Sequence, residues 1–482
     1  MENDLMEKIV ALCKRRGFVF PGSEIYGGLA NSYAYGPLGV EMLRNIKNLW
    51  WSRFVHSEET IYGLDSSIIM HPKIWEASGH IESFDDALVE CKECHGRFRA
   101  DHLVEDQTQE KVEGKAEEEL AMLIQEKAVE CPDCGATNFT PPRGFNLLFE
   151  TSLGSVSEES STVYLRGETA QGMFVNYKNV LDSMHPDLPF GIAQIGKAFR
   201  NEITLGNFIF RTFEFEQMEI EYFIREKIWE DVFEAWKEKM MTWLVGLGVE
   251  EDNLRWRQHT EDELSHYSQR TEDIEYNFPF GGFKELYGLA YRTDYDLKQH
   301  AECSGEDLRF TDSKNGEKFY PHVVEPTFGV SRTLLVLLLE AYQEEGEGKD
   351  KRTYLKLDPR LAPYKIAVFP LVSNKPEIVE KARKVYNLLS GNLKRGDLSV
   401  TASATWDAPS LQISSNIGPI AWDDRGNIGK RYYAQDEIGT PWCVTVDYDS
   451  LEDEAVTIRD RDTTEQVRIK ISDLCDWFVS RI

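Results

Sequence analysis

Residues 190–223 read FGIAQIGKAFRNEITLGNFIFRTFEFEQMEIEYF, and this stretch predicts two β-strands joined by a turn at Leu205, Gly206 and Asn207. Arg200 and Glu202 are two residues apart on the first predicted strand, so their side chains share a face. One face of the second strand carries an ordered row of arginine, aromatic, amide and carboxylate side chains, namely Arg211, Phe213, Phe215, Gln217, Glu219 and Glu221. The opposite face carries Glu214, Glu216, Met218, Ile220 and Tyr222.

An ordered polar face is unusual for a half-buried strand, which normally sets an apolar face against polar residues of no particular order. Arginine suits phosphate, an aromatic ring suits the plane of a base, and carboxylates suit amines. This face therefore predicts a floor that binds an anionic, aromatic ligand. The alternative is a surface hairpin held together by salt bridges.

Residues 320–342 form a second candidate site, in which a strand enters a turn at Gly329 and a helix follows. Ser331 is the predicted N-cap of this helix. Arg332 falls in the first turn, where a positive charge opposes the helix dipole, and such an unfavourable placement indicates a functional role. An arginine beside a helix N-terminus suits a phosphate group. An ordinary surface arginine is the alternative.

A third candidate is Glu168, which a tight turn presents at the end of a strand in residues 164–172. A turn salt bridge or a helix cap would explain this residue equally well. The sequence carries no dinucleotide-binding, P-loop or nucleophile-elbow motif in the matching strand–turn–helix context. If the protein binds ATP, we therefore expect the nucleotide to lie on an antiparallel sheet.

Four of the eight cysteines form two CxxC pairs, Cys91 with Cys94 and Cys131 with Cys134. Paired CxxC turns suit a tetrahedral zinc ion because each turn points two thiolates at one metal. The pairs predict a structural zinc site, and four buried or free thiols are the alternative. Between them lies a strongly acidic, helix-prone segment, residues 105–130, which we expect to be a solvated helical arm.

Length and charge limit the class of protein. A chain of 482 residues predicts about two to four domains. A net charge of −29 excludes a general nucleic-acid coat, because its mean field repels phosphate, but it allows a local basic patch. We found no apolar run long enough to span a membrane. The acidic start MENDLME lacks a signal peptide's apolar core, so we expect a cytoplasmic protein.

The rest of the chain predicts several ordered segments. After the break at residues 35–39, we expect a helix with an apolar stripe. Packing in the core explains this stripe, and a contact between subunits is a second interpretation. The stripe consists of Gly39, Met42, Leu43, Ile46, Leu49, Trp50 and Phe54. Residues 343–352 predict a linker, because they combine two glycines with dense charge. Beyond it, a strand at 364–371, a helix at 376–389 and strands near 419–422 and 442–448 predict a separate α/β domain.

Three of these segments resemble the signature motifs of the class II aminoacyl-tRNA synthetases. Residues 36–39 with the following helix resemble motif 1, residues 199–202 resemble motif 2, and residues 329–332 resemble motif 3. Within the class, the chain is similar over essentially its whole length to the glycyl-tRNA synthetases of the homodimeric type. The resemblance implies an α+β fold with a six- to seven-stranded antiparallel sheet flanked by helices. It implies a catalytic domain at 1–90 and 136–345, a cysteine-containing insertion at 91–135, a linker at 346–362 and an anticodon-binding α/β domain at 363–482.

The resemblance also implies an activity and a set of site residues. Glycine would react with ATP and Mg²⁺ to give glycyl-adenylate, and the glycyl group would pass to the 3′ end of a tRNA. The implied catalytic residues are Arg200, Glu202 and Arg332. The implied ATP-binding residues are Arg200, Asn201, Glu202, Phe210, Arg211, Thr212, Phe213, Glu214, Phe215, Glu285, Leu286, Gly329, Val330, Ser331 and Arg332. The implied glycine-binding residues are Arg99, Glu168, Phe215, Glu216, Gln217, Met218, Glu219, Glu325, Pro326, Thr327, Phe328 and Gly329.

Two other functions stay open at this level. A non-catalytic, nucleic-acid-binding relative on the same fold would have lost the Arg200–Glu202 pair, which is present here. A class II ligase for another small amino acid, such as alanine or serine, would keep that pair. The pocket carboxylates Glu168 and Glu219 favour glycine.

Overall fold

The computed structural model describes residues 2–108, 110, 112, 114–154, 161–203, 206–348, 351–391 and 418–481. The N-terminal part contains α1 (Glu2–Arg16), β1 (Val19–Pro21), β2 (Tyr33–Tyr35), α2 (Pro37–Trp51), β3 (Ile61–Gly63), α3 (Lys73–Ala77) and α4 (His80–Ser83). A small inserted unit follows, with β4 (Asp85–Glu90), β5 (Arg97–Arg99), α5 (Ala100–Thr108), α6 (Glu117–Glu126) and β6 (Arg143–Asn146).

The central part begins with β7 (Glu150–Leu153), β8 (Ser161–Tyr164), α7 (Ala170–Met184), β9 (Phe190–Phe199), β10 (Glu214–Ile224), α8 (Trp229–Gly246), β11 (Leu254–Gln258), β12 (Arg270–Phe278) and β13 (Gly282–Thr293). It continues with α9 (Tyr295–Ser304), β14 (Phe310–Thr311), β15 (Lys318–Phe319), β16 (His322–Gly329), α10 (Val330–Ala341), β17 (Tyr342–Glu345) and β18 (Arg352–Leu355). The C-terminal part contains β19 (Ile366–Pro370), α11 (Pro376–Leu389), β20 (Ile420–Trp422), α12 (Ile428–Asp436), β21 (Trp442–Val446), α13 (Ser450–Asp453), β22 (Ala455–Asp460), β23 (Gln466–Lys470) and α14 (Leu474–Val479).

A seven-stranded sheet forms the centre of the molecule, in the order β11-β12-β13-β16-β10-β9-β3. All neighbouring strands pair antiparallel except β3 and β9, which are parallel. The predicted antiparallel sheet flanked by helices is confirmed. Strand β10 lies inside the sheet, and both of its faces pack against other parts of the protein. The two different sets of side chains that alternate along β10 agree with this position.

The two faces of β10 differ as the sequence predicts. Met218 and Ile220 join the largest apolar cluster, which α2, α8 and α10 complete. On the opposite face, Phe223 packs with α7 and α9 in a second cluster, while the residues before it on that face are polar. The sheet is thus closed on one side and half-open on the other, with the polar stretch of β10 at the open end.

The inserted unit has a core of its own. Strands β5, β4 and β6 form a three-stranded sheet that extends beyond 91–135 on both sides, to Asp85 and Asn146. Helices α5 and α6 bury Leu103, Val104, Leu120 and Ile124 against this sheet. The prediction of a solvated helical arm is wrong for these helices, because their apolar residues recur at helical spacing and pack together despite the surrounding acidic residues.

The predicted linker is also more ordered than the sequence indicated. Strands β17 and β18 pair as an antiparallel hairpin directly after α10. Arg352 lies buried in this hairpin and bonds through Nε to Asp436 Oδ2 of the C-terminal part at 2.8 Å. Glycine and charge content alone therefore misled the prediction, because one arginine fixes the segment to the next domain.

The predicted C-terminal α/β unit is confirmed. Its five-stranded sheet has the order β20-β19-β21-β22-β23, with parallel pairs β19–β20 and β19–β21 and antiparallel pairs thereafter. Helix α11 packs on this sheet through Ile378, Ala382, Val385 and Leu389. No helix of the described residues is long and apolar enough to cross a membrane.

Candidate active site

The open end of the central sheet gathers most of the residues that the sequence singled out. Phe215, Gln217, Glu219 and Glu221 share one face of β10, and the last three are buried. Glu219 lies opposite Thr327 of β16 and opposite Gln194 of β9. The loop before α7 and the start of α10 stand at the edges of this face. The predicted alternation is confirmed for these four residues, and their role as a ligand-binding floor stays a prediction.

Arg200 and Glu202 lie outside the strand to which the sequence assigned them. Strand β9 ends at Phe199, after which Arg200 N donates to Phe213 O and Asn201 N donates to Leu147 O. The chain therefore leaves the ladder towards the segment that follows β6. Arg211 and Phe213 likewise precede β10, which starts at Glu214.

The connection between the two strands is a loop and not a tight turn. It contains a 3₁₀ turn at Phe208–Phe210 and an isolated bridge between Gly206 and Arg211. Leu205, part of the predicted turn, lies outside the described residues.

Arg200 is held over the floor by three contacts. Its Nε donates to Gly167 O at 3.0 Å. Its guanidinium carbon lies 5.1 Å from the centre of the Phe84 ring and 5.4 Å from that of Phe215. Gly167 directly precedes Glu168, so this hydrogen bond joins Arg200 to the loop that carries Glu168.

A second cationic group stands at the start of α10. Arg332 bonds through Nη1 to Glu285 Oε2 at 3.0 Å and to Glu285 O at 2.9 Å, and its guanidinium carbon lies 4.5 Å above the Phe210 ring. The positive charge of Arg332 lowers the pKa of Glu285. Arg211 lies close to both, and burial lowers its pKa. Glu202 Oε2 stands 3.8 Å from Arg211 Nε.

The sequence predicted Ser331 as the N-cap of α10, and this prediction is wrong. Strand β16 runs directly into the helix, and Gly329 occupies the capping position. Ser331 instead accepts a hydrogen bond from Tyr35 at 2.7 Å, which joins β2 to this helix. A local capping rule could not anticipate a partner that lies far away in the sequence.

Glu219 is the best-satisfied carboxylate of the floor. Thr169 donates its hydroxyl to Glu219 Oε2, Thr327 donates to Glu219 Oε1 at 2.8 Å, and Gln217 donates to the same oxygen at 3.4 Å. Burial, together with the charge of Glu168, raises the pKa of Glu219. These donors fix the orientation of the carboxylate within the floor.

Glu168 and Glu325 complete a ring of buried carboxylates. Glu168 Oε1 accepts from Gln171 at 3.0 Å and lies 3.4 Å from His80 Nε2. Burial alone would raise the pKa of Glu168, but His80 and Arg292 outweigh it and hold the pKa below its ordinary value. Glu325 Oε1 bonds to Arg292 Nη1 at 2.8 Å, and burial raises the pKa of Glu325 against the charge of Arg292.

Sequence reasoning missed the residue at the centre of this ring. Arg292, 1% exposed, bonds twice to Asp296 at 2.8 and 2.9 Å as well as to Glu325, and it stacks 3.8 Å from the centre of the Tyr267 ring. Its only sequence signal is the spacing of Arg292 and Asp296 as i and i+4 across a strand–helix junction. That spacing is common on protein surfaces, so it does not by itself indicate a functional site.

Arg99 of the inserted unit lies near Arg211, towards the other end of the floor. Its Nη1 lies 3.0 Å from Asp86 Oδ1 and its Nε donates to Asp101 Oδ1 at 3.0 Å. Burial raises the pKa of Asp86 to about 6, against the effect of Arg99. Burial, with the charge of Arg99, lowers the pKa of His102 to about 4.

Several residues assigned to the site point their side chains elsewhere. Glu214 pairs with Lys197, Glu216 pairs with Lys47, and Met218 lies in the main core. Leu286, Phe328 and Val330 lie in the same core. Pro326 is buried in β16, Thr212 donates to Glu214 O, and Phe213 packs against Phe149. Alternation along the strands turns the side chains of Glu214, Glu216, Met218 and Phe328 away from the polar face, so only their backbone groups can contribute to it.

The four cysteines of the CxxC pairs do come together. All their sulfur atoms lie within 4.8 Å of one another, and Cys91–Cys134 and Cys94–Cys131 are each 3.6 Å apart. The two turns repeat one geometry, since Cys91 N donates to Gly96 O and Cys131 N donates to Ala136 O, each at 2.8 Å. Four thiolates bound to zinc at about 2.3 Å would stand about 3.8 Å apart, close to these distances.

Residues 149–342 match the family described as the tRNA synthetase class II core domain (G, H, P, S and T), and residues 365–481 match the anticodon binding domain. The chain is 51% identical over 482 residues to a glycine–tRNA ligase of Caldanaerobacter subterraneus subsp. tengcongensis, covering 99% of this chain and 98% of the relative. It is 50% identical to the glycine–tRNA ligases of Alkaliphilus oremlandii and Clostridium acetobutylicum, each with 99% and 98% coverage.

Proposed function

The chain belongs to the glycine–tRNA ligases of the class II aminoacyl-tRNA synthetases, and from this premise we infer that it joins glycine to the 3′ end of its tRNA. The reaction has two steps. Glycine first attacks the α-phosphate of ATP, which enters with its Mg²⁺, and pyrophosphate leaves. The 3′-hydroxyl of the tRNA then attacks the carbonyl carbon of the glycyl-adenylate, and AMP leaves.

One observation carries the assignment of glycine to this site. Buried carboxylates from three separate segments, Glu168, Glu219 and Glu325, surround one end of the floor, and Thr327 lies among them. A ligand with a positive charge and almost no side chain would satisfy such a ring. The ammonium group of glycine fits this description, and Arg200 stands next to the ring where the carboxylate of the same molecule would lie.

We assign the nucleotide to the other end of the same face. Phe215 offers a ring for the adenine, and Glu202 offers an acceptor for its amino group. Arg200 would contact the α-phosphate, while Arg211 and Arg332 would contact the outer phosphates. Asn201, Phe210 and Glu285 line this end.

The chemistry then needs positioning more than a protein base. The glycine carboxylate is already ionised at neutral pH, so its oxygen can attack phosphorus without losing a proton. Holding the two reactants in line contributes several kcal/mol, about 7 to 11 in favourable cases. Arginines aimed at the α-phosphate stabilise the charge that develops on its oxygens.

Selection of glycine over alanine cannot come from tighter binding of a smaller side chain. A methyl group in a hydrophobic pocket is worth only about 1 to 3 kcal/mol. We propose exclusion by shape, because Thr169 and Thr327 fix Glu219 and leave the carboxylates little freedom to make room.

The test is amino-acid-dependent exchange of labelled pyrophosphate into ATP by the purified protein. We expect exchange with glycine and not with alanine or serine. Exchange with alanine or serine in preference to glycine would move the assignment to another small amino acid. Absence of exchange with all three would indicate a non-catalytic relative. Aminoacylation of tRNA with labelled glycine then tests the second step.

We also propose a structural zinc ion at Cys91, Cys94, Cys131 and Cys134. The sulfur spacing supports it, and a site closed by four thiolates has no open position for catalysis. Its role would be to hold β5 and the neighbouring Arg99 in place beside the sheet. Arg99 would then belong to the substrate side of the site.

The remaining assignments concern assembly and organisation. We propose a homodimer, which is supported by a groove of about 720 Å³ that Met6, Val10, Ala11, Phe208 and Phe280 help to line. Ile25 and Tyr26, which follow α1 in the sequence, are 88% and 87% exposed. Exposed apolar groups of this size are typical of interfaces. We propose catalytic segments 1–90 and 136–345, an insertion at 91–135 whose sheet extends to Asp85 and Asn146, a connection at 346–362 and an anticodon-binding domain at 363–482. We also propose that the protein is cytoplasmic.

A further inference from the structure

Glu221 is a buried carboxyl group that the proposed reaction does not use. It is fully buried in the middle of β10, and neither of its carboxyl oxygens has a hydrogen-bond partner among the described residues. Leaving an ionised carboxylate buried and unpaired is very costly, so such a group normally takes up a proton.

Charged groups from four elements face Glu221. They are Glu219 of β10, Glu325 of β16, Arg292 of β13 and Asp296 of α9. The residue opposite on β9 is apolar Ile192. Glu168, just before α7, acts in turn on Glu219 and Glu325. The cluster thus contains five carboxyl groups for one arginine, whose strongest bonds go to Asp296 and Glu325.

Hydrogen bonding decides which carboxyl group holds a proton. Glu219 accepts three donors, Glu168 has Gln171 and His80, and Glu325 has Arg292. Glu221 alone has none, although one of its oxygens lies within 4.8 Å of one oxygen each of Glu219 and Glu325. Burial, with the negative charge of Glu325, raises the pKa of Glu221 well above its ordinary value.

We propose that Glu221 carries a proton in the empty pocket and releases it to the solvent when the ammonium group of glycine binds beside Glu219 and Glu325. This inference rests on the proposed function of the pocket. An ammonium charge next to the cluster offsets the repulsion between Glu219, Glu221 and Glu325, so it favours the ionised form of Glu221. Glu221 then acts as a positioning residue, because its charge adjusts to that of the ligand without a contact to the reacting atoms.

The consequence is a measurable link between glycine affinity and pH. If binding releases one proton, the dissociation constant falls about tenfold for each pH unit by which the pH rises, until the empty pocket itself loses the proton. A pocket with a fixed charge would show no such slope near neutral pH.

The experiment is isothermal titration calorimetry of the full-length wild-type protein with a non-hydrolysable glycyl-adenylate analogue, glycyl sulfamoyl adenosine. Titrations at pH 7 in two buffers with different ionisation enthalpies give the number of protons released. At this pH the α-amino group of the ligand is mostly protonated already. We expect about one proton released, and none with the glycolyl counterpart, which has a hydroxyl group in place of the ammonium.

Glu221→Gln tests the assignment to this residue, because glutamine has the shape of the neutral acid. We expect the variant to bind the analogue with proton release abolished and the pH slope lost. Glu275→Gln is the matched control, since Glu275 is a buried glutamate of the same sheet that bonds to Arg255 at 2.6 Å; its proton release should equal that of the wild type.

Two results would overturn the inference. Tight binding of the analogue by the wild type without proton release would refute it and leave the proposed function standing. Unchanged proton release in Glu221→Gln would assign the proton to another group. Failure of the wild type to bind the analogue would instead count against the proposed function. The wild-type titration does not depend on how well any variant folds.

Discussion

Arg200→Ala is the substitution that most directly tests the proposed site. In the structure this side chain makes one hydrogen bond, to Gly167 O, and lies over the rings of Phe84 and Phe215. A hydrogen bond contributes about 0.5 to 1.5 kcal/mol, and each cation–π contact about 0.5 to 1. The loss of folding free energy should therefore be about 1.5 to 3.5 kcal/mol, which a chain of this size should tolerate.

The loss of activity should be much larger than the loss of stability. If Arg200 stabilises charge on the α-phosphate, its removal should lower the rate of glycine-dependent pyrophosphate exchange about 10² to 10³-fold, as for the loss of one oxyanion donor. The effect should fall on kcat as well as on kcat/KM, because the interaction strengthens in the transition state. Arg200→Lys should recover part of the rate, since it keeps the charge but loses the planar fork of donors.

Arg225→Ala provides a matched control. Arg225 follows the other end of β10, pairs with Asp312 and Glu317, and stacks 4.4 Å from the centre of the Phe319 ring. Arg225 makes two ion pairs and one cation–π contact, so Arg225→Ala should also lose a few kcal/mol at most, but it should keep its exchange rate. Near-normal exchange by Arg200→Ala, or an equal loss in both variants, would refute the reasoning.

Three further predictions concern other parts of the molecule. Cys94→Ser should reduce the zinc content, measured by metal analysis, from about one ion per chain to near zero, whereas Cys303→Ser, at an exposed thiol outside the cluster, should not. His102→Gln should unfold less readily in acid. The pKa of His102 in the folded protein, about 4, lies below the ordinary 6.5, so the wild type loses up to about 3 kcal/mol of stability as the pH falls between these values. This loss should disappear in the variant when denaturant unfolding is compared at pH 7 and pH 4. Asp436→Asn should cost about 3 to 5 kcal/mol in denaturant unfolding, because it leaves Arg352 and Arg459 buried with a neutral partner, whereas Asp423→Asn, beside the exposed Arg425, should cost less than about 1.

The fold was predictable where periodicity and local chemistry agree. The alternation of side chains along β10 predicted which residues share each of its faces. In a strand that is buried on both sides, a polar residue is costly unless it has a role, so the row of polar residues indicated a site. The α/β alternation after Ile366 predicted the C-terminal sheet for the same reason. The order of the domains along the chain came from the family resemblance, because periodicity alone does not predict it.

The failures share a different physical cause. Ser331, Arg352 and the ends of β9 and β10 were misjudged because their partners lie far away in the sequence. The bond from Tyr35 to Ser331 spans nearly 300 residues, and the one from Arg352 to Asp436 joins two domains. Local rules describe caps, linkers and strands as isolated pieces, so they miss a residue whose conformation is fixed from outside.

The same limit applies to the pocket, where it bears on function. Each carboxyl group of the ring was visible in the sequence, but the excess of negative charge became apparent only when β10, β16, β13 and α9 were brought together around Arg292. A charge imbalance is a property of the assembled cluster, and a folded protein must neutralise it with protons or with a bound cation. This charge imbalance is the physical basis of our proposal that the pocket takes a small ammonium ligand, because such a ligand would supply the positive charge that the cluster lacks.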